Sequence, residues 1–277
     1  MSDIPAVASS LAPSLALDND RLALDYEEIS ATRQFQSGKR LCADLAIAAG
    51  ERVLDVGCGT GLLAEHIANL VGPTGFVLGL DPLPLRIELA HRRARANLAF
   101  EVGDAYALDH LASGSFDVVV LNAVFHWLPE KAGPLSAFAR VLRAGGRIGI
   151  GTGVKGHRTR LQEEVTRVLA EPPFDGHPRR RESISWRVDT AEMAALFDAA
   201  GLAVDRLEVR ENEQRFPTPD AAVRYTEASS FGNFLGHLPE ALKPLARARV
   251  AARLAGIMGP DGLVQEGRRL VALGVKR

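Results

Sequence analysis

The chain predicts an α/β fold, an open and mostly parallel sheet with helices on both faces, and three stretches carry that prediction. The apolar run 52–56 leads through glycines at positions 57, 59 and 61 into a helix-compatible run, 62–71. That is the strand–turn–helix layout which brings a backbone close to a nucleotide-like ligand. A second apolar run, 75–81, ends in Asp81, 20 residues past Gly61. A third, 115–122, carries the continuous apolar stretch Val118-Val119-Val120-Leu121 expected of a central parallel strand buried on both faces.

The totals narrow the function classes. A formal net charge of −1 over 277 residues gives no electrostatic attraction toward nucleic acid. Cys42 and Cys58 are the only cysteines, too few for a disulfide framework and without metal-ligand spacing, so no metal is expected and a reducing cytoplasm is the simplest setting. Residues 1–24 are rich in Ala, Ser and Leu but lack a basic leader and are interrupted by Asp3, Pro5, Pro13 and Asp18. They read as a flexible arm rather than a signal peptide. No apolar run approaches the ~18 residues of a membrane span.

The glycine turn separates two readings. A dinucleotide fingerprint from Gly57 needs glycine at position 62, where this chain has Leu62, and it does not use an acid such as Asp55 ahead of the turn. Asp55-Val56-Gly57-Cys58-Gly59-Thr60-Gly61 instead resembles the first motif of the class I methyltransferases that use S-adenosylmethionine. The resemblance extends over roughly residues 50–153. It includes Gly103-Asp104-Ala105 after the strand 98–102, Asn122 to Trp127 after the fourth strand, and Leu142-Arg143-Ala144-Gly145-Gly146 before the fifth, where the family usually has proline at the position of Ala144.

The resemblance implies a Rossmann-like seven-stranded sheet of order 3-2-1-4-5-7-6, with the last strand antiparallel. Residues 202–210 and 266–276 fill the sixth and seventh positions. One methyltransferase domain then spans 25–277, and 217–263 is a mostly helical insertion between the last two strands. Leaving the carboxyl end of the sixth strand, that insertion emerges on the ligand side and is expected to cap the substrate pocket.

The resemblance also implies the site. Asp55, Gly57, Cys58, Gly59, Gly61 and Leu62 would surround the amino-acid end of S-adenosylmethionine, and Asp81 would accept from its ribose diol. Pro82, Asp104 and Ala105 would meet the adenine, and Asn122 and Ala123 would close the fourth-strand end. The helix expected over 26–49 would fold over the cofactor with Tyr26, Phe35 and Gln36. Phe125, His126 and Trp127, and the cap residues Phe231, Phe234 and His237, would face the methyl acceptor. His126, His157, His177 and His237 are the candidate bases, His126 and His237 ahead of the others, and one is needed only if the acceptor carries a proton that must leave early.

Asn122 stands where catechol-type enzymes place a magnesium-binding acid, and no Asn/Asp-Pro-Pro-Tyr run follows the fourth strand. The remaining resemblance is to the small-molecule and ubiquinone-biosynthesis type, which implies a small organic acceptor, no nucleic acid or membrane partner, and a monomer or homodimer. Three rival readings are a nicotinamide-dependent oxidoreductase, a catalytically silent partner subunit, and an RNA methyltransferase using Arg92, Arg93, Arg95 and Arg179 to Arg181, against which the near-zero net charge argues.

Overall fold

The computed structural model describes residues 32–178, 185–228 and 233–277, with side chains from Gln34 onward. Tyr26, Arg179 to Arg181 and Phe231 lie outside the described residues. Helix α1 (Thr32–Asp44) precedes β1 (Arg52–Val56), α2 (Leu62–Val71), β2 (Phe76–Asp81), α3 (Pro84–His91), β3 (Leu98–Val102) and β4 (Phe116–Asn122). A short 3-10 turn (Phe125–Trp127) leads to α4 (Ala132–Val141) and β5 (Leu142–Gly153). Helices α5 (Arg160–Leu169) and α6 (Thr190–Ala199) come before β6 (Leu202–Phe216), α7 (Pro219–Glu227), α8 (Lys243–Ala255) and β7 (Leu263–Lys276).

The strands form one seven-stranded sheet in the order β3-β2-β1-β4-β5-β7-β6, as expected from the sequence. The pairs from β3 through β5 are parallel, and β7 runs antiparallel to both β5 and β6. Strands β1 and β4 read as apolar runs because both faces are covered. Leu54, Val56, Val119 and Leu121 point into one cluster with α4 and α6, while Val53, Val118 and Val120 point into another with α1 and α2. Side chains alternate between these faces along each strand.

Strands β6 and β7 run further than the sequence suggests, pairing from Leu202↔Lys276 to Phe216↔Leu263. The extra length carries a third apolar cluster beyond the main sheet. Helices α7 and α8 supply Ala222, Val223, Ala246, Val250 and Leu254, and α5 adds Leu161, Val165 and Val168. The helical layer therefore draws on two segments, 217–263 and the stretch after β5. The sequence pointed only to the first, because α5 has no motif and its apolar stripe does not reveal its partner. Capping boxes start α5 at Thr159 and α6 at Asp189, each side chain accepting from the backbone three residues on.

Candidate cofactor cleft and acceptor chamber

The glycine turn is built from backbone conformations that side chains resist. Gly57, Gly59 and Gly61 have φ of 71°, 57° and 87°, in the left-handed region that favours glycine. A Cβ on Gly57 would fall 2.2 Å from Cγ2 of Val124, and one on Gly61 2.7 Å from the Phe100 ring. Most of the turn amides are satisfied within the fold. Gly57 and Cys58 donate to the Leu80 carbonyl at 2.7 and 2.9 Å, and Gly59 donates to Asp81 at 3.0 Å. The open donors lie at the start of α2, whose first amides lack intrahelical acceptors and whose N-cap, Gly61, offers no side-chain cap.

A cleft opens at that helix end, lined by Gln34, Phe35, Asp55, Gly57, Cys58, Thr60, Leu62, Leu63 and Asn122. Two buried oxygens face an unmet need there. Among the described residues neither Asp55 Oδ2 nor Thr60 Oγ1 has a hydrogen-bond partner, and such atoms cost roughly 1–3 kcal/mol each when left unsatisfied. Burial, and after it the like charge of Asp81, push the Asp55 carboxyl up to about 7. A ligand with an ammonium group beside a carboxylate meets both needs: the cation suits Asp55, and the anion suits the positive end of α2.

Asp81 ends β2 beside the turn, as predicted, and is 3% exposed. Its two oxygens already accept from Gly59 N and Leu83 N, both at 3.0 Å, and Arg86 approaches at 3.9 Å. Asp81 thus anchors the turn through both of its carboxylate oxygens. Asp104 follows β3 and accepts from Tyr106 N at 3.1 Å, with burial raising its carboxyl above the ordinary value. Ala105 is buried and Pro82 half-buried beside it.

At the end of β4, Ala123 holds a positive φ of 63°, a strained conformation for a residue with a Cβ. Its amide donates to the Gly151 carbonyl at 2.8 Å. Asn122 ties three elements together. Its amide nitrogen donates to the Gln34 carbonyl at 2.9 Å, and its oxygen accepts from Arg269 at 2.5 Å.

Several expectations need correction. Gln36 is exposed on α1, and the residues that reach the cleft from that helix are Gln34 and Phe35; a one-residue shift turns a helical side chain by ~100°. Cys58 lines the cleft, while its sulfur packs in the core beneath the turn, where a Cβ on Gly79 would meet it at 2.9 Å. Phe125 is fully buried in the core and supports the wall from behind.

His126 bonds Thr152 Oγ1 through Nδ1 at 2.9 Å. By strand alternation Thr152 points to the opposite face of β5 from Gly151 and Gly153. Burial, followed by Arg187, Arg269 and Lys131, pulls the imidazole down to about 3, so it is neutral and a poor base. Trp127 tilts against it with ring centroids 4.5 Å apart. Phe234 packs on the third apolar cluster, and His237 is half-buried beside Leu235 and Leu238 of the same cluster.

The sequence reading passed over Thr60, Gln34 and Arg269. Thr60 was inside the quoted motif. Arg269 carries no local signal, because it lies 147 residues from Asn122.

Comparison with known proteins agrees with this layout. Residues 47–182 match a family model described as a methyltransferase domain. The demethylmenaquinone methyltransferase of Lactobacillus johnsonii is 34% identical over 139 residues, 47% of this chain and 57% of the relative. The nocamycin O-methyltransferase of Saccharothrix syringae is 30% identical over 257 residues, 85% of this chain and 87% of the relative. Several curated relatives are matched over only about three-fifths of their length. Among solved structures, the YcgJ protein of Bacillus subtilis superposes with a TM-score of 0.58 at 21% identity, over 87% of this chain and 98% of that one. With the sheet order, the glycine turn and a full-length relative in agreement, the chain belongs to the class I S-adenosylmethionine-dependent methyltransferases.

Proposed function

We propose that this chain moves the methyl group of S-adenosylmethionine to a small organic acceptor. The observation that carries the reading is the pair of orphaned oxygens, Asp55 Oδ2 and Thr60 Oγ1, facing the uncapped start of α2. That arrangement suits an amino-acid end. Asp55 and Thr60 would hold it, Asp81 the sugar, and Asp104 with Ala105 the base. The bound sulfonium supplies an already activated methyl group.

The remaining work of the chain is orientation. Gln34 and Phe35 of α1 close one wall of the cleft, and Asn122 fixes the fourth-strand end against both α1 and Arg269. Proximity and alignment of acceptor and methyl group supply up to roughly 7–11 kcal/mol of rate enhancement without a base. The helical layer of α5, α7 and α8 serves as a cap over the acceptor, excluding water. In this reading Phe234 and His237 belong to the cap, and His126 backs the fourth-strand end through Thr152.

Among the described residues no helix is long and apolar enough to cross a membrane. A cytoplasmic monomer or homodimer without a nucleic-acid partner fits the near-neutral charge.

Calorimetric titration with S-adenosylhomocysteine and with NADH separates the readings. Binding of the first and not the second is expected. Binding of NADH alone would return the chain to the oxidoreductase reading. Affinity for S-adenosylhomocysteine without methyl release to any of a broad acceptor panel would favour the silent-subunit reading.

A further inference from the structure

Beyond Asn122, on the same face of the sheet, the walls change character. Residues Gly149, Gly151 and Gly153 alternate along β5 and present no side chains to this face. A Cβ on Gly151 would fall 2.2 Å from Nη2 of Arg269, and one on Gly153 3.1 Å from Nε of Arg187. Two guanidinium groups therefore lie over neighbouring glycines of one strand, one side chain away from the cofactor cleft.

Their partners are neutral. Arg269 donates through Nη2 to Asn122 Oδ1 and to the Gly151 carbonyl, at 2.5 and 2.7 Å. Arg187 donates through Nε to Ser185 Oγ at 3.0 Å and through Nη1 to the His157 carbonyl at 2.6 Å. A guanidinium has five N–H donors, so about three on each group have no acceptor among the described residues.

The neighbourhood sharpens the contrast. Arg210 sits directly opposite Arg269 in the β6–β7 register, and it is matched by Asp44 at 2.6 Å and Glu208 at 2.5 Å. Neither Arg269 nor Arg187 has a carboxylate partner among the described residues. Burial pulls Arg269 down to about 10, still cationic at neutral pH. Arg158 and Arg210 add to the positive field. Two partly buried cations without counter-charge are costly, and a chain that keeps them beside its reaction site places them for an anion. The two planar forks favour a carboxylate, which accepts bidentate pairs.

Resting on the methyl-transfer reading above, we infer that the acceptor carries a carboxylate, gripped by Arg187 and Arg269 over the glycine strip of β5. The missing side chains of Gly151 and Gly153 leave the space that the two guanidinium groups occupy, and Asn122, which bonds Arg269 and lines the cofactor cleft, links the two sides.

The test uses the protein saturated with S-adenosylhomocysteine, at constant ionic strength. Acetate and benzoate, each paired with its primary amide, are titrated by calorimetry together with inorganic phosphate. The expected result is at least tenfold tighter binding of a carboxylate than of its amide. Arg187→Gln should abolish that preference, leave affinity for S-adenosylhomocysteine within twofold, and hold or raise the melting temperature. Equal binding of acid and amide, binding of neither, or preference for phosphate overturns the inference. So does an Arg187→Gln protein that melts lower and keeps the preference, since the guanidinium would then be structural. Failure of S-adenosylhomocysteine to bind at all would instead overturn the underlying methyl-transfer reading.

Discussion

The two halves of the crevice are built by different means. On the cofactor side, from β1 to β3, the site is made largely of backbone: a left-handed glycine turn, the start of α2, and acids at strand ends. On the acceptor side, from β4 to β7, it is made of side chains borrowed from distant segments. Arg269 lies over Gly151 and bonds Asn122, and Arg187 lies over Gly153. Backbone geometry tolerates few residue types and so leaves a spaced pattern in the chain. Side chains converging from remote strands leave none.

The largest expected effect follows from that difference. Gly57→Ala places a Cβ 2.2 Å from Val124 at a φ of 71°. A left-handed alanine costs about 1–2 kcal/mol, and overpacking adds about 1–3 kcal/mol. These costs fall on the fold, and because Gly57 lines the cleft the displaced turn should also weaken binding of S-adenosylhomocysteine by about tenfold or more, about 1.4 kcal/mol. Gly72→Ala is the control. It has a similar φ of 66° but nothing within 4 Å of the new Cβ, so it should lose some stability and keep its affinity. Equal loss of affinity in both variants would show that affinity follows general destabilisation rather than the geometry of the turn.

The same contrast sets what was legible beforehand. The glycine turn and the strand-end acids Asp81 and Asp104 could be read because each is tied to a local period or spacing, and the sheet order followed only from the family resemblance that those motifs carry. Gln36 was misplaced because the rotation of α1 about its axis is not written in the sequence: Gln34 and Gln36 lie ~200° apart on the helix, and Gln34 takes the cleft side. His126 looked catalytic because it follows a central strand. Its partner Thr152 shows that it turns to the other face of β5, and a 3-10 turn does not announce which way it points. The share of α5 in the helical layer, and the position of Arg187, depend on tertiary packing alone.

A middle-sized effect belongs to Asp55. Its carboxyl is raised to about 7 in the folded protein, well above its ordinary value. The folded state therefore binds more protons than the unfolded chain between pH ~4 and ~7, and this group's contribution to stability falls as pH rises through that window. Asp55→Asn removes the ionisable group and should raise the melting temperature of the ligand-free protein at pH 8 more than at pH 5. The same variant should bind S-adenosylhomocysteine about tenfold or more weakly at pH 8, because the carboxylate facing the ammonium is gone. A uniform stability change at both pH values would refute the assigned titration, and unchanged affinity would remove Asp55 from the site.

The smallest effect is predicted beyond β4, for His126, one of the candidate bases. With its imidazole held down to about 3, His126 stays neutral through the physiological range and bonds Thr152 away from the glycine strip. His126→Gln should change affinity for S-adenosylhomocysteine by less than about twofold, within the ~0.5 kcal/mol that separates independent sites. Its mark should appear in stability. A histidine depressed below its unfolded value supports the fold fully above pH ~6.5 and loses that support as pH falls toward 3. The wild-type protein should therefore lose stability relative to His126→Gln between pH 6.5 and 5. An NMR titration in which the ring protonates near pH 6.5, or a variant gap that does not change with pH, would place His126 in solvent and reopen its candidacy as a base.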